Sequence, residues 1–312
     1  MDNVSAIDQN ELISVIMSAY NTPNDYLKLS IDSILSQTYK NIELLIVIDS
    51  PDNEEMIHFI EAEARKDDRV RLIYNEQNIG LPGSLNVALA EAKGKYIARM
   101  DTDDIAFCNR LEKQLECLES GVYDLVAAKI FLMDEEGNVI SEEDKTCWTD
   151  RFLKRILQEV NCMPHPTWLG KKEVFDSLGG YKNIDACEDY EFLLRALAHG
   201  FRLGMCDTTC LKYRVNPNGI SSTKALRQDL ASYYLSRNRN TLEDNIKERI
   251  EYFLEKYLSP QAMDEYAKLE DSKKNKNRFI VDIVELVKIP GVHLLYAHRI
   301  KIKLLWLFSA RG

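Results

Sequence analysis

The chain has 312 residues, of which 45% are hydrophobic and 29% charged, so it can bury a core and still present a charged surface. Its formal net charge of −10 argues against a general nucleic-acid-binding protein, which usually carries a basic face. The charge is unevenly distributed, because residues 221–312 hold 17 basic and 12 acidic residues and so leave −15 for the rest of the chain.

Strand and helix patterns alternate four times in the first hundred residues. Short apolar runs predict strands at 12–21, 42–50, 70–76 and 95–101, and helical spacing predicts helices at 24–39, 53–68 and 83–94. Runs rich in Ile and Val are typical of strands that are buried on both faces. The alternation predicts an α/β domain with a mostly parallel sheet flanked by helices.

The rest of the chain continues with mixed patterns and then becomes helical. Further helices are predicted at 109–119, 148–160, within 171–183 (ended by Gly179 and Gly180) and at 187–200, and further strands within 124–140 and 209–222. From residue 224 onward the pattern is helical and charged. We therefore expect a sheet-containing domain over residues 1–222 and a helical C-terminal extension over residues 223–312.

The last stretch, residues 288–312, combines basic and apolar residues. Basic side chains beside Leu305 and Trp306 favour a helix that lies in a membrane interface. The alternative is a helix that packs against the preceding domain or against a partner chain, including a second copy. The sequence leaves both open.

Cysteine usage and the N-terminus bear on the cellular compartment. The seven cysteines include no CxxC pair, and Cys206 and Cys210, which could meet on a helix, lack the further ligands of a metal site. An odd number of cysteines in a chain of this size favours a reducing compartment. The acidic N-terminus does not resemble a secretory signal, and no run of about 18 apolar residues predicts a membrane span. We expect a cytoplasmic protein, with the basic end as its contact with the inner face of the membrane.

Polar clusters stand where three of the predicted strands end. These are Ser18–Asn21, Asp49 and Asp101–Asp104. In open parallel sheets, ligands bind beyond the carboxyl ends of the strands. We therefore expect these clusters to lie close together.

Three carboxylates within four positions indicate a cation site. Asp101, Asp103 and Asp104 would repel one another unless a cation neutralised them. Hard divalent cations such as Mg²⁺ and Mn²⁺ prefer oxygen ligands and take part of their coordination from phosphate. The cluster therefore predicts a cation that bridges to a diphosphate, and a solvated acidic turn is the alternative.

Other candidates allow two interpretations each. Asp49 can accept a hydrogen bond from a base N–H or a sugar hydroxyl, or it can cap the loop that follows. Glu188 and Asp189 open a predicted helix, where one can serve as a general base or both can favour the helix dipole. His165 stands between two prolines in a stiff loop, either as a positioned functional group or as a structural residue.

Five segments together resemble glycosyltransferase family 2, of the GT-A fold, from about residue 12 to 222. They are "ISVIMSAYN" (13–21), "SILSQTYKNIELLIVID" (33–49), "NIGLPGSLNVALAEAKGKYIARMDTDD" (78–104), "GGYKNIDACEDYEFLLR" (179–195) and "YRVNPNGIS" (213–221). Their order and spacing carry the resemblance, because no single segment is specific.

The resemblance implies an inverting, metal-dependent glycosyltransferase that uses a nucleotide-sugar, UDP-linked by expectation, and Mn²⁺ or Mg²⁺. The acceptor would be a saccharide or lipid-linked saccharide of surface polysaccharide biosynthesis. The nucleotide-binding residues it implies are Ser18, Tyr20, Asn21, Asp49, Asn78, Asn86, Arg99 and Asp101, with Asp49 at the uracil. It implies Asp103 as metal ligand with Asp104 as its alternative, Asp189 as catalytic base, and sugar-side or diphosphate-side roles for His165, Trp168, Glu188 and Arg214.

The sequence departs from the family pattern at three positions. Ile48 replaces a frequent second acid, Cys108 a usual proline, and Asn216 a common histidine, so a metal ligand from the last of these loops is not expected. A sugar-phosphate nucleotidyltransferase is one alternative, but residues 18–25 lack the glycine-rich basic loop that such enzymes carry after the first strand. A non-catalytic sugar-nucleotide-binding protein is the other.

Overall fold

The computed structural model describes residues 11–120, 122–142, 150–216, 224–242, 245–264, 266, 294–295, 298–302 and 305. The chain divides into two compact units. The sheet unit comprises residues 1–153, 163–183 and 196–216, and the helical unit comprises 154–162, 184–195 and 217–312. The domain boundary predicted at 222/223 falls outside the described residues and stays a prediction.

The described strands form one mixed sheet. They are β1 (Ile13–Ala19), β2 (Ile42–Ile48), β3 (Val70–Tyr74), β4 (Tyr96–Arg99), β5 (Ile105–Ala106), β6 (Leu125–Met133), β7 (Val139–Glu142), β8 (Leu169–Lys171) and β9 (Leu203–Arg214). Their order is β3-β2-β1-β4-β8-β6-β9-β5, with β7 paired to β6. The first four strands are mutually parallel, and so are β6 and β9, whereas β8 joins the two halves by antiparallel pairing. The predicted α/β fold is confirmed.

Helices alternate with these strands as the sequence predicts. They are α1 (Asn24–Leu35), α2 (Glu54–Ala64), α3 (Gly80–Glu91), α4 (Arg110–Glu119), α5 (Asp150–Leu157), α6 (Lys172–Leu178), α7 (Glu188–Ala198), α8 (Ala225–Asn238) and α9 (Ile246–Tyr257). A 3₁₀ turn covers His165–Thr167. The short strands β5 and β8 were not predicted, because two or three residues show no periodicity.

The core explains why β1 and β2 read as apolar runs. All seven residues of β2 are buried, since helices pack on both sides of the strand. Alternate residues such as Leu44 and Ile46 join a cluster with apolar residues of α1, α2 and α4, and α3 packs against β1 and β2. Complete burial of each such side chain stabilises the fold by about 1.5–3 kcal/mol.

The register of the parallel strands sets the place of the strand ends. Ala19 pairs with Ile48, so β1 and β2 end at the same level, whereas Arg99 of β4 pairs with Ile16, three residues earlier. The backbone N–H of Asp49 then donates to Ala19 O at 2.9 Å. The loops that follow β1 and β2 therefore begin side by side.

The helical unit has its own apolar core. Leu230 and Leu235 of α8 pack with Ile250 and Leu254 of α9 and with Leu295 from the basic C-terminal stretch. Only residues 294–295, 298–302 and 305 of the predicted interfacial helix are described.

Within that C-terminal stretch, the described residues have protein neighbours. A ring nitrogen of His298 is hydrogen-bonded to Glu159 O at 2.7 Å, and Arg299 is ion-paired with Asp229. Among the described residues, no helix combines the length and apolar character needed to cross a membrane. Membrane contact stays a prediction.

Cys206 and Cys210, which could have met on a helix, lie on a strand instead. Both lie on β9 and both are buried. Their low exposure agrees with cysteines that serve as small apolar side chains.

Candidate active site

A pocket of about 550 Å³ opens at the carboxyl ends of β1 and β2. Four of the residues predicted to bind nucleotide line it, namely Tyr20, Asn21, Asp49 and Asn78. The rest of the lining is mainly polar or acidic and consists of Ser50, Pro51, Asp52, Asn53, Glu54, Glu76 and Gln77. The pocket thus offers amide and carboxylate groups to a ligand and no basic side chain among its lining residues.

The loop after β1 is held in a defined shape. Asn21 adopts a left-handed backbone conformation with φ of 49°, which Asn tolerates better than most residues. Its N–H donates to Ser50 Oγ at 3.0 Å, and its side-chain oxygen accepts from Asn53 Nδ2 at 2.9 Å. The preceding Tyr20 is 56% exposed, so its ring is available for stacking on a planar ligand.

Asp49 joins the end of β2 to the segment 75–80. Its carboxylate accepts hydrogen bonds from Asn75 Nδ2 at 2.7 Å, Ile79 N at 2.9 Å and Gly80 N at 3.0 Å. Its carbonyl oxygen accepts from Asn78 Nδ2 at 3.3 Å. The carboxylate is therefore committed to protein donors, although the residue forms part of the pocket wall.

The acidic cluster follows β4. One carboxylate oxygen from each of Asp101, Asp103 and Asp104 lies within 4.8 Å of the others. Asp104 is 1% exposed, and its Oδ1 accepts from Arg214 N at 2.8 Å, whereas its Oδ2 is buried and has no hydrogen-bond partner among the described residues. A buried carboxylate oxygen without a donor is costly unless a cation or another donor binds it.

The pKa values of Asp103 and Asp104 also indicate that their negative charges are costly unless a cation binds. Burial, together with the charge of Asp101, raises the pKa of Asp103 to about 6. Burial and the charges of Asp101 and Asp103 raise the pKa of Asp104 well above its ordinary value. The folded chain therefore resists ionisation of Asp103 and Asp104, and a bound divalent cation would remove that resistance.

Two arginines brace the cluster. Arg99, which is buried, forms an ion pair with Asp101. The guanidinium of Arg214 donates to Asp103 O at 2.9 Å and Glu135 O at 2.6 Å, and lies 3.9 Å from the ring centre of Tyr26. Arg214 fixes the turn that carries the acids, and its predicted role toward diphosphate stays a prediction.

Ser30 of α1 and Gln37 in the loop after α1 support the backbone of the acidic cluster and of the segment that follows it. Neither residue was predicted from the sequence. Ser30 Oγ donates to Asp101 O at 2.7 Å. Gln37 Nε2 donates to Phe107 O at 2.7 Å, and Gln37 Oε1 accepts from Leu111 N at 3.0 Å. For Ser30, the signal that could have revealed it is a polar residue on the otherwise apolar face of an amphipathic helix.

Arg110 is a second residue that sequence reasoning missed. It is fully buried, and its guanidinium donates to Arg99 O at 2.6 Å and Gln114 Oε1 at 2.9 Å. Burial lowers the pKa of Arg110 to about 10, so it stays charged at neutral pH. It anchors the last residue of β4, from which the acidic loop starts.

His165 and Trp168 lie in a buried aromatic group with Tyr181. A His165 ring nitrogen is 2.9 Å from the Tyr181 hydroxyl, and the rings of His165 and Trp168 are 4.5 Å apart. Burial and the charge of Arg99 lower the pKa of His165 well below its ordinary value, so the ring is neutral. Trp168 is 0% exposed, and its indole N–H donates to Met163 O at 3.2 Å. Any effect of Trp168 on an acceptor would act through its neighbours.

Asn86 contacts Tyr181 of this aromatic group and is not among the residues that line the pocket. Its side chain donates to Tyr181 O at 2.8 Å and accepts from Tyr181 N at 2.7 Å. Gly180 permits this contact, because a Cβ at that position would lie 2.3 Å from Asn86 Oδ1. Ser18 is half-buried on β1, in register with Val47.

Asp189 lies in the helical unit, in the first turn of α7. Its Oδ2 accepts from Asn161 Nδ2 at 2.7 Å and its Oδ1 from Tyr190 N at 2.6 Å, so the half-buried carboxylate has a fixed orientation. Glu188 is buried beside it in sequence, and Ala186 has a φ of 63°, an uncommon value for alanine. Asn161 was not predicted, because it is 28 residues away in the chain.

Comparisons with known proteins identify the family and the fold. The family model described as "Glycosyl transferase family 2" matches residues 14–179. An uncharacterized glycosyltransferase of Methanocaldococcus jannaschii is 34% identical over 72% of this chain and 77% of the relative. The O-antigen biosynthesis glycosyltransferase WbnJ of Escherichia coli is 33% identical over 72% of this chain and 88% of the relative.

A solved structure shares the fold. The crystal structure of S. aureus TarS 1–349 in complex with UDP-GlcNAc gives a TM-score of 0.59 at 18% identity, over 93% of this chain and 88% of that chain. With a family model that matches more than half of the chain and relatives at this identity, the chain belongs to glycosyltransferase family 2, and it is a glycosyltransferase of the GT-A fold.

Proposed function

We propose that this glycosyltransferase moves a sugar from a UDP-linked donor to a saccharide hydroxyl with inversion at the anomeric carbon, and that it requires Mn²⁺ or Mg²⁺. The observation that carries the proposal is the acidic cluster after β4, in which Asp104 has a buried oxygen without a donor among the described residues. The loop that bears it touches the loop after β1, since the hydroxyls of Thr22 and Thr102 are 2.7 Å apart.

The donor set fits a hard divalent cation. Asp103 and Asp104, whose pKa values are raised, would supply carboxylate oxygens to the cation, which would favour their ionised form. When bound, such a cation withdraws charge from the leaving diphosphate. Asp101 is ion-paired with Arg99, which favours a role for Asp101 toward the nucleotide while Asp103 and Asp104 hold the cation.

The nucleoside would enter the pocket at the ends of β1 and β2. The exposed ring of Tyr20 can stack on the base, and the amides of Asn21 and Asn78 can pair with its edge or with the ribose. The TarS complex with UDP-GlcNAc supports a nucleotide-sugar donor, since the fold is shared.

Asp189 would accept the proton of the acceptor hydroxyl as that oxygen attacks the anomeric carbon. Its two oxygens are oriented by Asn161 and by the N–H of Tyr190, and a carboxylate so held keeps further lone pairs for a hydroxyl. Replacing Asp189 with Asn keeps the shape and removes the base, so turnover should fall by about 10³-fold while nucleotide affinity stays the same. UDP release at wild-type rate from the Asp189→Asn variant would contradict this role.

A thermal-shift screen tests the donor. The full-length protein would be heated with UDP-glucose, UDP-galactose, UDP-GlcNAc, UDP-GalNAc and dTDP-glucose, each with Mn²⁺ and with EDTA. A ligand that binds only the folded protein raises the melting temperature, and at a given concentration the rise is larger for a tighter ligand. We expect a rise with a UDP-sugar and Mn²⁺ that EDTA abolishes. Release of pyrophosphate from UTP and a sugar phosphate would instead indicate a nucleotidyltransferase.

The acceptor and the location form a separate part of the proposal. The similarity to an O-antigen biosynthesis enzyme supports a saccharide or lipid-linked saccharide acceptor, and the basic stretch 288–312 supports contact with the inner face of a membrane. Co-sedimentation with phosphatidylglycerol vesicles tests this contact. Substituting Lys288, Lys303 and Arg311 with Gln should reduce binding, and equal sedimentation of both proteins would contradict it.

A further inference from the structure

Glu159 is a buried acid in the loop that follows α5. It is 7% exposed, and a buried carboxylate is costly unless a cation or a hydrogen-bond donor compensates its charge. Its Oε1 lies 2.6 Å from Lys301 Nζ, and its Oε2 lies 3.8 Å from His298 Nδ1. The compensating cation is therefore supplied by the basic stretch 288–312.

His298 contacts the backbone of the same residue. Its Nε2 lies 2.7 Å from Glu159 O, and since a carbonyl oxygen can only accept, Nε2 carries the proton. Burial lowers the pKa of His298, so the ring is neutral at pH 7 and donates from this nitrogen. The ring packs edge-on against Tyr233 of α8, with 5.4 Å between the ring centres. The carboxylate and the carbonyl of Glu159 are thus both held by residues 298–301.

The basic stretch is attached to the helical unit at two further points. Leu295 is buried and lies in the apolar core that also contains Tyr190 of α7. Arg299 is ion-paired with Asp229 of α8. The loop that carries Glu159, helix α7 and the described residues of the basic stretch all belong to the helical unit. We define the C-terminal clasp as Leu295, His298, Arg299 and Lys301.

The loop after α5 also carries Asn161, which contacts the proposed catalytic base. Asn161 stands two positions after Glu159, and its Nδ2 donates to Asp189 Oδ2 at 2.7 Å. The other oxygen of Asp189 accepts from the N–H of Tyr190 at 2.6 Å. The hydrogen bond from Asn161 therefore depends on where this loop lies, and the C-terminal clasp fixes the loop at Glu159.

Glu159 is also close to the start of α7. Burial raises the pKa of Tyr190 well above its ordinary value, and the negative charge of Glu159 is among the smaller causes. The hydroxyl of Tyr190 is buried and has no hydrogen-bond partner among the described residues. A shift of Glu159 would therefore disturb the surroundings of Tyr190 as well as those of Asn161, and both residues donate to Asp189.

We propose that His298 and Lys301 are positioning residues for sugar transfer. By holding Glu159 they fix its loop, so that Asn161 keeps the carboxylate of Asp189 in one orientation. This inference rests on the proposed role of Asp189 as the base. Because the residues that line the nucleotide pocket belong to the sheet unit, loss of the C-terminal clasp should lower turnover and leave nucleotide affinity unchanged.

Steady-state kinetics test the proposal, with Mn²⁺, water as the acceptor and the UDP-sugar that raises the melting temperature most in the thermal-shift screen. We expect Lys301→Gln to lower kcat by about tenfold, while KM and the calorimetric affinity for UDP change by less than about twofold. Lys301→Arg, which keeps the charge, should restore most of kcat. Lys247→Gln, which removes an exposed lysine of α9, is the control and should equal the wild type. An unchanged kcat in Lys301→Gln would overturn the proposal.

A double-variant cycle separates positioning from a general loss of structure. If Lys301 acts through Asn161, Lys301→Gln should lower kcat by less than about twofold in the Asn161→Ala background. Independent losses would multiply, so a further loss of about tenfold in that background would overturn the proposal. If Lys301→Gln does not fold, Glu159→Gln/Lys301→Met takes its place with the same expected results, because this pair leaves no buried charge without a partner.

The Asp189→Asn variant distinguishes this proposal from the proposed function. UDP release at the wild-type rate from Asp189→Asn, or no UDP release from the wild type, would contradict the proposed function itself. A large loss in Asp189→Asn beside a normal kcat in Lys301→Gln would contradict only the role of the C-terminal clasp.

Discussion

The pocket after β1 and β2 and the acidic cluster after β4 use opposite means to prepare for a ligand. The pocket presents exposed amides and an open tyrosine ring, which water can solvate without a ligand. The cluster holds partly and fully buried carboxylates with raised pKa values, and it is braced by two buried arginines and a buried glutamine. Groups that water solvates need little support, whereas buried charges that repel one another must be fixed by the fold before a cation can bind.

Removal of the metal should give the largest difference between the two regions. If the cluster binds the diphosphate through a cation, chelation by EDTA should weaken UDP binding by about 100-fold. Uridine, which has no phosphate, should bind the pocket with the same affinity in Mn²⁺ and in EDTA. Calorimetry with both ligands measures this, and equal losses for uridine and UDP would contradict the division between the two regions.

Loss of the tyrosine ring should affect the pocket alone. Tyr20→Ala removes the stacking surface, which we expect to weaken UDP binding by about tenfold, by analogy with base stacking on aromatic side chains. The factor should be the same in Mn²⁺ and in EDTA. Tyr74→Ala, which removes another exposed tyrosine that lies outside the pocket lining, is the control and should have no effect.

Loss of a supporting residue should affect the cluster alone and by less. Gln37→Ala leaves Phe107 O and Leu111 N without this partner, so the acidic loop should be less well fixed. We expect the Mn²⁺-dependent part of UDP affinity to fall by roughly fivefold, with uridine binding unchanged. Thr38→Val, which removes an exposed hydrogen bond to Glu112 in the same loop, should change neither. A decrease in uridine affinity for Gln37→Ala would show that the two regions are not separable.

The smallest effect should appear in the stability of the metal-free protein. Burial raises the pKa of Asp103 to about 6 from the ordinary 3.8. Between pH 3.8 and pH 6, the folded state keeps a proton on Asp103 that the unfolded state has lost, and at higher pH the ionised Asp103 destabilises the folded state. At pH 7 in EDTA, the free energy of unfolding of Asp103→Asn should therefore exceed that of the wild type by about 1 kcal/mol. This difference should disappear toward pH 4.

Asp67 should behave in the opposite way. The hydrogen bond from Arg69 lowers the pKa of Asp67, so Asp67→Asn should cost stability at pH 7 and the cost should vanish at acid pH. Urea unfolding across this pH range compares the two variants. If Asp103→Asn were less stable than wild type at pH 7 in EDTA, the acidic cluster would not be strained without a cation.

Much of this arrangement could be predicted from the sequence, because it depends on strand ends. The rule that ligands bind beyond the carboxyl ends of parallel strands placed Tyr20, Asn21 and Asp49 together, and all three line one pocket. The acidic cluster stands directly after β4, where the apolar run ends.

The rest depends on contacts between distant parts of the chain, which local patterns do not encode. The hydrogen bond that Asp49 accepts from the N–H of Ile79 spans 30 residues, and the contact of Asn161 with Asp189 spans 28. The resemblance implies a nucleotide contact for Asn86, which stays a prediction, but its hydrogen bonds with the backbone of Tyr181 were not predicted. Burial was also not visible in the sequence, since Trp168, for which the resemblance implies a role on the sugar side, is 0% exposed.

The most direct test is the affinity of the Asp103→Ala variant for UDP in the presence of Mn²⁺, measured by calorimetry beside the wild type and beside Asp207→Ala, which removes an exposed aspartate elsewhere on the sheet unit. We predict that Asp103→Ala binds UDP in Mn²⁺ no better than the wild type does in EDTA, while uridine affinity is unchanged. Wild-type affinity for UDP in Asp103→Ala, with its dependence on Mn²⁺ intact, would contradict the assignment of the cation to this cluster.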